Sequence, residues 1–129
     1  MTTLTSTERG HLAKMLNDRE QVLRDEIRAG LTRMRMEGYE DLLSGTSDAG
    51  DESLASLMTD ISNAEVVRDA AELKDIFAAK ARLAEDTYGA CIDCDAPIPY
   101  ARLLAYPTAK RCLACQQLHE DKRAPARRT

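Results

Sequence analysis

Four cysteines stand in two close pairs, Cys91-x-x-Cys94 and Cys112-x-x-Cys115, with seventeen residues between the pairs. Zn²⁺ has no ligand-field preference and accepts four thiolates tetrahedrally, and a two-residue gap lets both sulfurs of a pair reach one metal from a tight turn. The pattern predicts a structural zinc site made by Cys91, Cys94, Cys112 and Cys115. Four thiolates leave no open coordination position for water, which argues against a hydrolytic zinc enzyme. His11 and His119 are not needed as ligands. Disulfides need an oxidising compartment, and residues 1–8 have neither the basic nor the apolar region of a secretory signal. The expectation is a soluble, cytoplasmic, reduced protein. No apolar run approaches the roughly 20 residues of a membrane helix.

The second group with chemical potential is acidic. Between Arg35 and Arg68 there is no Lys or Arg, while Glu37, Glu40, Asp41, Asp48, Asp51, Glu52, Asp60 and Glu65 lie in that interval. Such a stretch repels nucleic-acid phosphates and suits a basic protein surface, a cationic channel or a bound Mg²⁺. Asp48 and Asp51 have a bland role as well, since Asp forms turns and caps helices. From Arg102 onward the balance reverses: Arg102, Lys110, Arg111, Lys122, Arg123, Arg127 and Arg128 outnumber Glu120 and Asp121.

The elements that carry these groups follow from periodicity. Thr5-x-x-Glu8 has the form of a capping box. Leu12, Met15, Leu16, Leu23, Ile27, Leu31, Met34, Leu42 and Leu43 then recur at helical spacing. This predicts one helix over about 6–43, weakened at Gly30 and Gly38. The Gly/Ser/Asp-rich stretch 44–53 reads as a turn. Leu54, Leu57, Met58, Ile61, Ala64, Val67, Ala71, Ile76, Leu83 and Tyr88 predict a second helix over about 52–88. Two long helices joined by a short loop fold back antiparallel and cover each other's narrow apolar faces as a coiled coil. The fold class is therefore all-α: a long antiparallel two-helix coiled-coil hairpin over 1–88, with an acidic tip at 44–53. A small four-cysteine zinc-finger unit with a short C-terminal helix follows over 89–123, then a basic tail at 124–129. The finger has too few large apolar residues for a core of its own, so metal binding supplies its folding free energy. Because the hairpin pairs its own apolar faces, a monomer is expected.

The 129-residue chain fits one domain, or one small domain with an extension, and its net charge is -4 with 31% charged residues and 4% aromatic. A large enclosed pocket is not expected from so few aromatics, and long exposed helices suit the composition.

The residues within and around the cysteine pairs carry a resemblance. Tyr88, Gly89, Ile98, Arg102, Leu103, Ala105, Pro107, Thr108, Ala109 and Gln116, together with the four cysteines, resemble the DksA/TraR zinc-finger family of bacterial transcription regulators. The motif match covers about 88–116, and the hairpin before it matches by architecture. The resemblance implies a protein that binds RNA polymerase directly rather than promoter DNA. Its coiled-coil tip enters the secondary channel to modulate initiation, with the alarmone ppGpp as a frequent co-regulator in the stringent response. Counted back without gaps from the first zinc ligand, the aspartates of the family's tip motif Asp-x-x-Asp-x-Ala fall on Asp48 and Asp51. Its Ala falls on Ser53, a departure. Arg102 falls on an arginine implicated in polymerase contact. Three basic alarmone-binding positions fall on Arg68, Asp75 and Gln116, so only Arg68 keeps the charge and weakened ppGpp synergy is expected. The family's longer members have an N-terminal extension, so the chain reads as a shorter DksA-like paralogue.

Other function classes are weaker on the same residues. A zinc-ribbon nucleic-acid binder finds support in the basic C-terminal segment with Tyr100 and Tyr106, and opposition in the acidic hairpin. A protein adaptor needs none of the tip acids. An enzyme, such as a carboxylate-metal nuclease using Asp48 and Asp51, is not expected, because two acids on an exposed loop enclose no site.

Overall fold

A computed structural model describes residues 4–36, 39 and 50–123, with backbone only at 50–53 and 122–123. Five helices follow in order: α1 (Ser6–Arg33), α2 (Gly50–Asp60), α3 (Ala64–Ala84), α4 (Tyr100–Ala105) and α5 (Leu113–Arg123). Among the described residues there is no strand, only an isolated antiparallel bridge between Ala90 and Pro97. The chain divides into two compact units, Met15–Ala78 and a second made of Met1–Lys14 with Ala79–Thr129.

In the unit Met15–Ala78, α1 meets α3 antiparallel. Arg19 on α1 pairs with Glu72 on α3 at 2.6 Å, and further along α1, Gly30 lies against Val66 near the start of α3. Leu16, Leu23, Ile27 and Leu31 of α1 are buried with Leu54 and Leu57 of α2 and with Val66, Ala70, Leu73 and Ile76 of α3. In the other unit, Arg9 near the start of α1 donates through Nη2 to the Leu83 carbonyl at 3.3 Å and pairs with Asp86 at 3.1 Å. The capping box at the head of α1 is formed: the Thr5 amide donates to Glu8 Oε1 and the Glu8 amide to Thr5 Oγ1, at 2.9 and 3.0 Å.

The helices depart from the periodicity at three places: the end of α1, a break at 61–63 and the end of α3. α1 stops at Arg33, well short of residue 43. Met36 N–H bonds to Leu31 O, Arg35 N–H bonds to Thr32 O, and Arg35 takes a φ of 56°. That is a Schellman termination with arginine in the left-handed position usually given to glycine. The second helix is also not continuous over 52–88. It is interrupted at 61–63, where the Asn63 side chain accepts from the Val66 amide at 3.1 Å and caps a new helix. The restart shifts the apolar register by one residue, so Val66 and Ala70 are buried where Val67 and Ala71 were expected. α3 ends at Ala84 by the same device as α1, with Thr87 N–H on Arg82 O, Asp86 N–H on Leu83 O, and Asp86 at φ 66°.

Candidate metal centre

The approach to the first cysteine is a miniature hairpin. Gly89 takes a φ of 90°, the Ile98 amide reaches Gly89 O at 2.8 Å, and the Cys91 amide reaches Ala96 O at 2.8 Å. Asp95, at φ 65°, turns the chain just after Cys94 and donates its amide to Cys91 O at 2.9 Å. The Asp93 amide points at Cys91 Sγ, 3.4 Å away. An N–H aimed at a cysteine sulfur stabilises the thiolate, the form that binds metal.

The second pair sits at a helix start. Cys112 immediately precedes α5 and its carbonyl accepts the Gln116 amide at 2.9 Å, while Cys115 lies in the first turn. The positive end of the helix macrodipole favours anionic sulfur there. Two bonds join the halves: Ile92 N–H to Lys110 O at 2.9 Å, and Arg111 Nε to Asp93 Oδ2 at 2.8 Å. Sequence reasoning did not single out Asp93, and read Arg111 only as part of the basic C-terminal segment. The signal was their adjacency to ligands, Asp93 inside the first gap and Arg111 just before Cys112.

A small core supports the site. Tyr88, Ile98, Leu103 and Ala109 are buried, and the Tyr88 hydroxyl donates to Pro107 O at 2.7 Å. Burial pushes the Tyr88 phenol up to about 12. The six-residue α4, which the sequence reading did not predict, follows its N-cap Pro99 and stops before Pro107. Proline pre-sets φ at a helix start and disfavours helix in the residue before it.

All four sulfurs lie within 4.8 Å of one another, and Cys94 Sγ and Cys112 Sγ are 3.7 Å apart. A zinc–sulfur distance of about 2.3 Å implies tetrahedral edges of about 3.8 Å, so the donor set fits Zn²⁺. Their acidities fit as well. Burial pushes the Cys91 thiol up, but the amides of Cys112, Cys94 and Asp93 outweigh it and bring the thiol down to about 6. Hydrogen bonding to Cys112 and Cys94 pushes Cys115 up to about 12. One thiolate forms readily while Cys94 and Cys115 resist a second, an opposition that a divalent cation removes.

The other candidate residues are spread over the chain. Asp48 lies outside the described residues. Asp51 and Ser53 fall in the first turn of α2. Arg68 and Asp75 are exposed on α3, and Gln116 on α5 donates to Glu120 at 2.9 Å. Arg102 is partly buried and donates through Nε to Arg111 O at 3.3 Å, so it braces the segment leading into Cys112.

The description "prokaryotic dksA/traR C4-type zinc finger" matches residues 86–121. Over 39 residues the chain is 56% identical to a protein of Escherichia phage P2, described as an uncharacterized 8.2 kDa protein in the gpA 5′ region. That stretch is 30% of this chain and spans about half, 53%, of the phage protein. Among solved structures, transcription factor DksA2 from Pseudomonas aeruginosa superposes with a TM-score of 0.62 at 23% identity, over 92% of this chain and 87% of that one. The fold is thus shared along nearly the whole length.

Proposed function

We propose that this chain, whose residues 86–121 match the DksA/TraR zinc finger, is a non-enzymatic transcription regulator of that family that binds RNA polymerase directly. The observation that carries the reading is the union, in one chain, of a finger of this type with a fold shared with DksA2 over 92% of its length. The zinc serves to fold the finger. The effector is the acidic end of the helical hairpin, entering the secondary channel with Asp48 and Asp51 as its acting groups and Ser53 beside them. Arg102 contacts polymerase from the finger. The continuous absence of Lys and Arg between Arg35 and Arg68 supports this, because a channel that admits nucleotides with Mg²⁺ tolerates carboxylates near the metal. Among the described residues no helix is long and apolar enough to cross a membrane. The protein acts as a monomer in the cytoplasm.

The alarmone ppGpp is a weak partner on this reading. Arg68 offers a cation, but Asp75 repels a polyphosphate and Gln116 is neutral and engaged with Glu120. Full ppGpp synergy in transcription would overturn that part alone.

The deciding experiment is in vitro transcription with purified polymerase on a ribosomal RNA promoter and an amino-acid-biosynthesis promoter. The wild type is compared with the double variant Asp48→Asn, Asp51→Asn, which removes charge at constant shape. The expected outcome is altered output with the wild type and loss of the effect, with binding kept, in the variant. A wild type that neither binds polymerase nor alters output overturns the reading and turns attention to nucleic acid or another protein as partner of the finger.

A further inference from the structure

Asp60 is poorly suited to the place it occupies. It closes α2, and the last turn of that helix contains no basic residue. A carboxylate at a helix C-terminus faces the negative pole of the macrodipole, where it is unfavourable. The chain then interrupts: Ile61 still donates to Leu57 O, and three residues after Asp60 the Asn63 cap has started a new helix. α2 and α3 are two rods on a short joint. Tyr39 comes to this joint from the preceding part of the chain. Its ring is buried and its hydroxyl donates to Asp60 Oδ2 at 3.1 Å. A buried phenol needs an acceptor, but a backbone carbonyl serves that need without a misplaced charge.

We propose that Tyr39 and Asp60 are positioning residues, whose hydrogen bond holds α2 at the joint and so fixes the direction in which the N-terminal end of α2 is presented to a partner. Asp51 and Glu52 lie at that end. The identity of the partner rests on the function proposed above, whereas the joint does not. The bond stands in for the continuous ladder of backbone hydrogen bonds that an unbroken helix would have given. Among the described residues, α2 is held by buried Leu54 and Leu57 and, at its C-terminal end, by this directional contact.

The test uses the full zinc-loaded chain with Tyr39→Phe, which keeps the ring and removes the donor, and Asp60→Asn, which keeps an acceptor and removes the charge. Hydrogen exchange is read without polymerase. Tyr39→Phe is expected to speed amide exchange across α2 by about fivefold or more, with α3 within about twofold of wild type. Asp60→Asn is expected to keep wild-type exchange. In transcription, Tyr39→Phe is expected to leave the half-effective concentration within about twofold and to lower the maximal effect by about threefold or more. Unchanged α2 exchange, or an equal rise in α2 and α3, overturns the joint. A Tyr39→Phe protein with faster α2 exchange and full maximal effect overturns the positioning role. A wild type inert on polymerase overturns the function proposed above, while exchange still decides the joint.

Discussion

Asp69 on α3 and Glu72 one turn later respond to pH with opposite signs. Burial raises the Asp69 carboxyl above its ordinary 3.8, and the charge of Glu26 on α1 adds to the rise. The folded state therefore holds a proton that the unfolded state releases, and stability falls as pH rises from about 3.8 through the raised value. Asp69→Asn removes that penalty. It should stabilise the protein at pH 7 by about 0.5 kcal/mol, the size of a surface like-charge contact. The gain should vanish below pH 4 in urea melts. Glu72 is held below its ordinary 4.5 chiefly by its hydrogen bond from Arg19. Its contribution is present above 4.5 and is lost as pH falls through the lowered value, so Glu72→Gln should cost stability at neutral pH and little in acid. Residue types were the most legible level of the sequence. The four ligands were readable because both members of each pair sit within one turn, so no tertiary knowledge was needed to bring them together. The Asp93–Arg111 bond and the burial of Arg24 under Phe77, 5.4 Å from the ring centroid, were not readable, since each depends on which loop or face meets which.

At the scale of elements, the helices were legible and their ends were not. Periodicity reports a buried face, but a termination is written in one backbone angle. Here that angle falls on Arg35 and Asp86, while the glycines singled out in the helical stretch were Gly30 and Gly38. The joint at 61–63 was hidden because Asn63 alone marks it and no proline accompanies it. The tip residue Asp48 lies outside the described residues, so its role rests on the resemblance. Gly30, expected only to weaken α1, has a packing reason instead. A Cβ built there would stand 2.7 Å from Val66 Cγ2, the end of a stiff, buried side chain. Gly30→Ala gains about 1 kcal/mol of helix propensity but should lose about 1–3 kcal/mol to overpacking. The net expectation is destabilisation, relieved by adding Val66→Ala. Gly10 is the control: nothing lies within 4 Å of its Cβ position, and Gly10→Ala should stabilise by about 1 kcal/mol. Urea melts of the single and double variants check all three.

For the whole molecule, the division into two units predicts an uneven response to metal loss. The unit Met15–Ala78 has its own buried core from α1, α2 and α3, whereas α4 and α5 are held by the finger. Structural zinc contributes on the order of 10 kcal/mol to a finger. Stripping it with a strong chelator at neutral pH should melt α4 and α5, about a fifth of the helical residues, and leave most of α1 to α3. Far-ultraviolet circular dichroism would show a partial loss, recovered on adding Zn²⁺. Complete loss in one transition would mean that the units do not fold separately. The contact of Arg9 with Leu83 and Asp86 has a different consequence, one of time. Its partners are synthesised more than seventy residues after it. At about 5–20 residues per second a ribosome needs roughly 4–15 s to cover that gap. For that interval the opening turns of the nascent chain are without their docking surface, available to chaperones and proteases. The finger's second cysteine pair is synthesised later still, so the first pair has no partner ligands until Cys115 has been made.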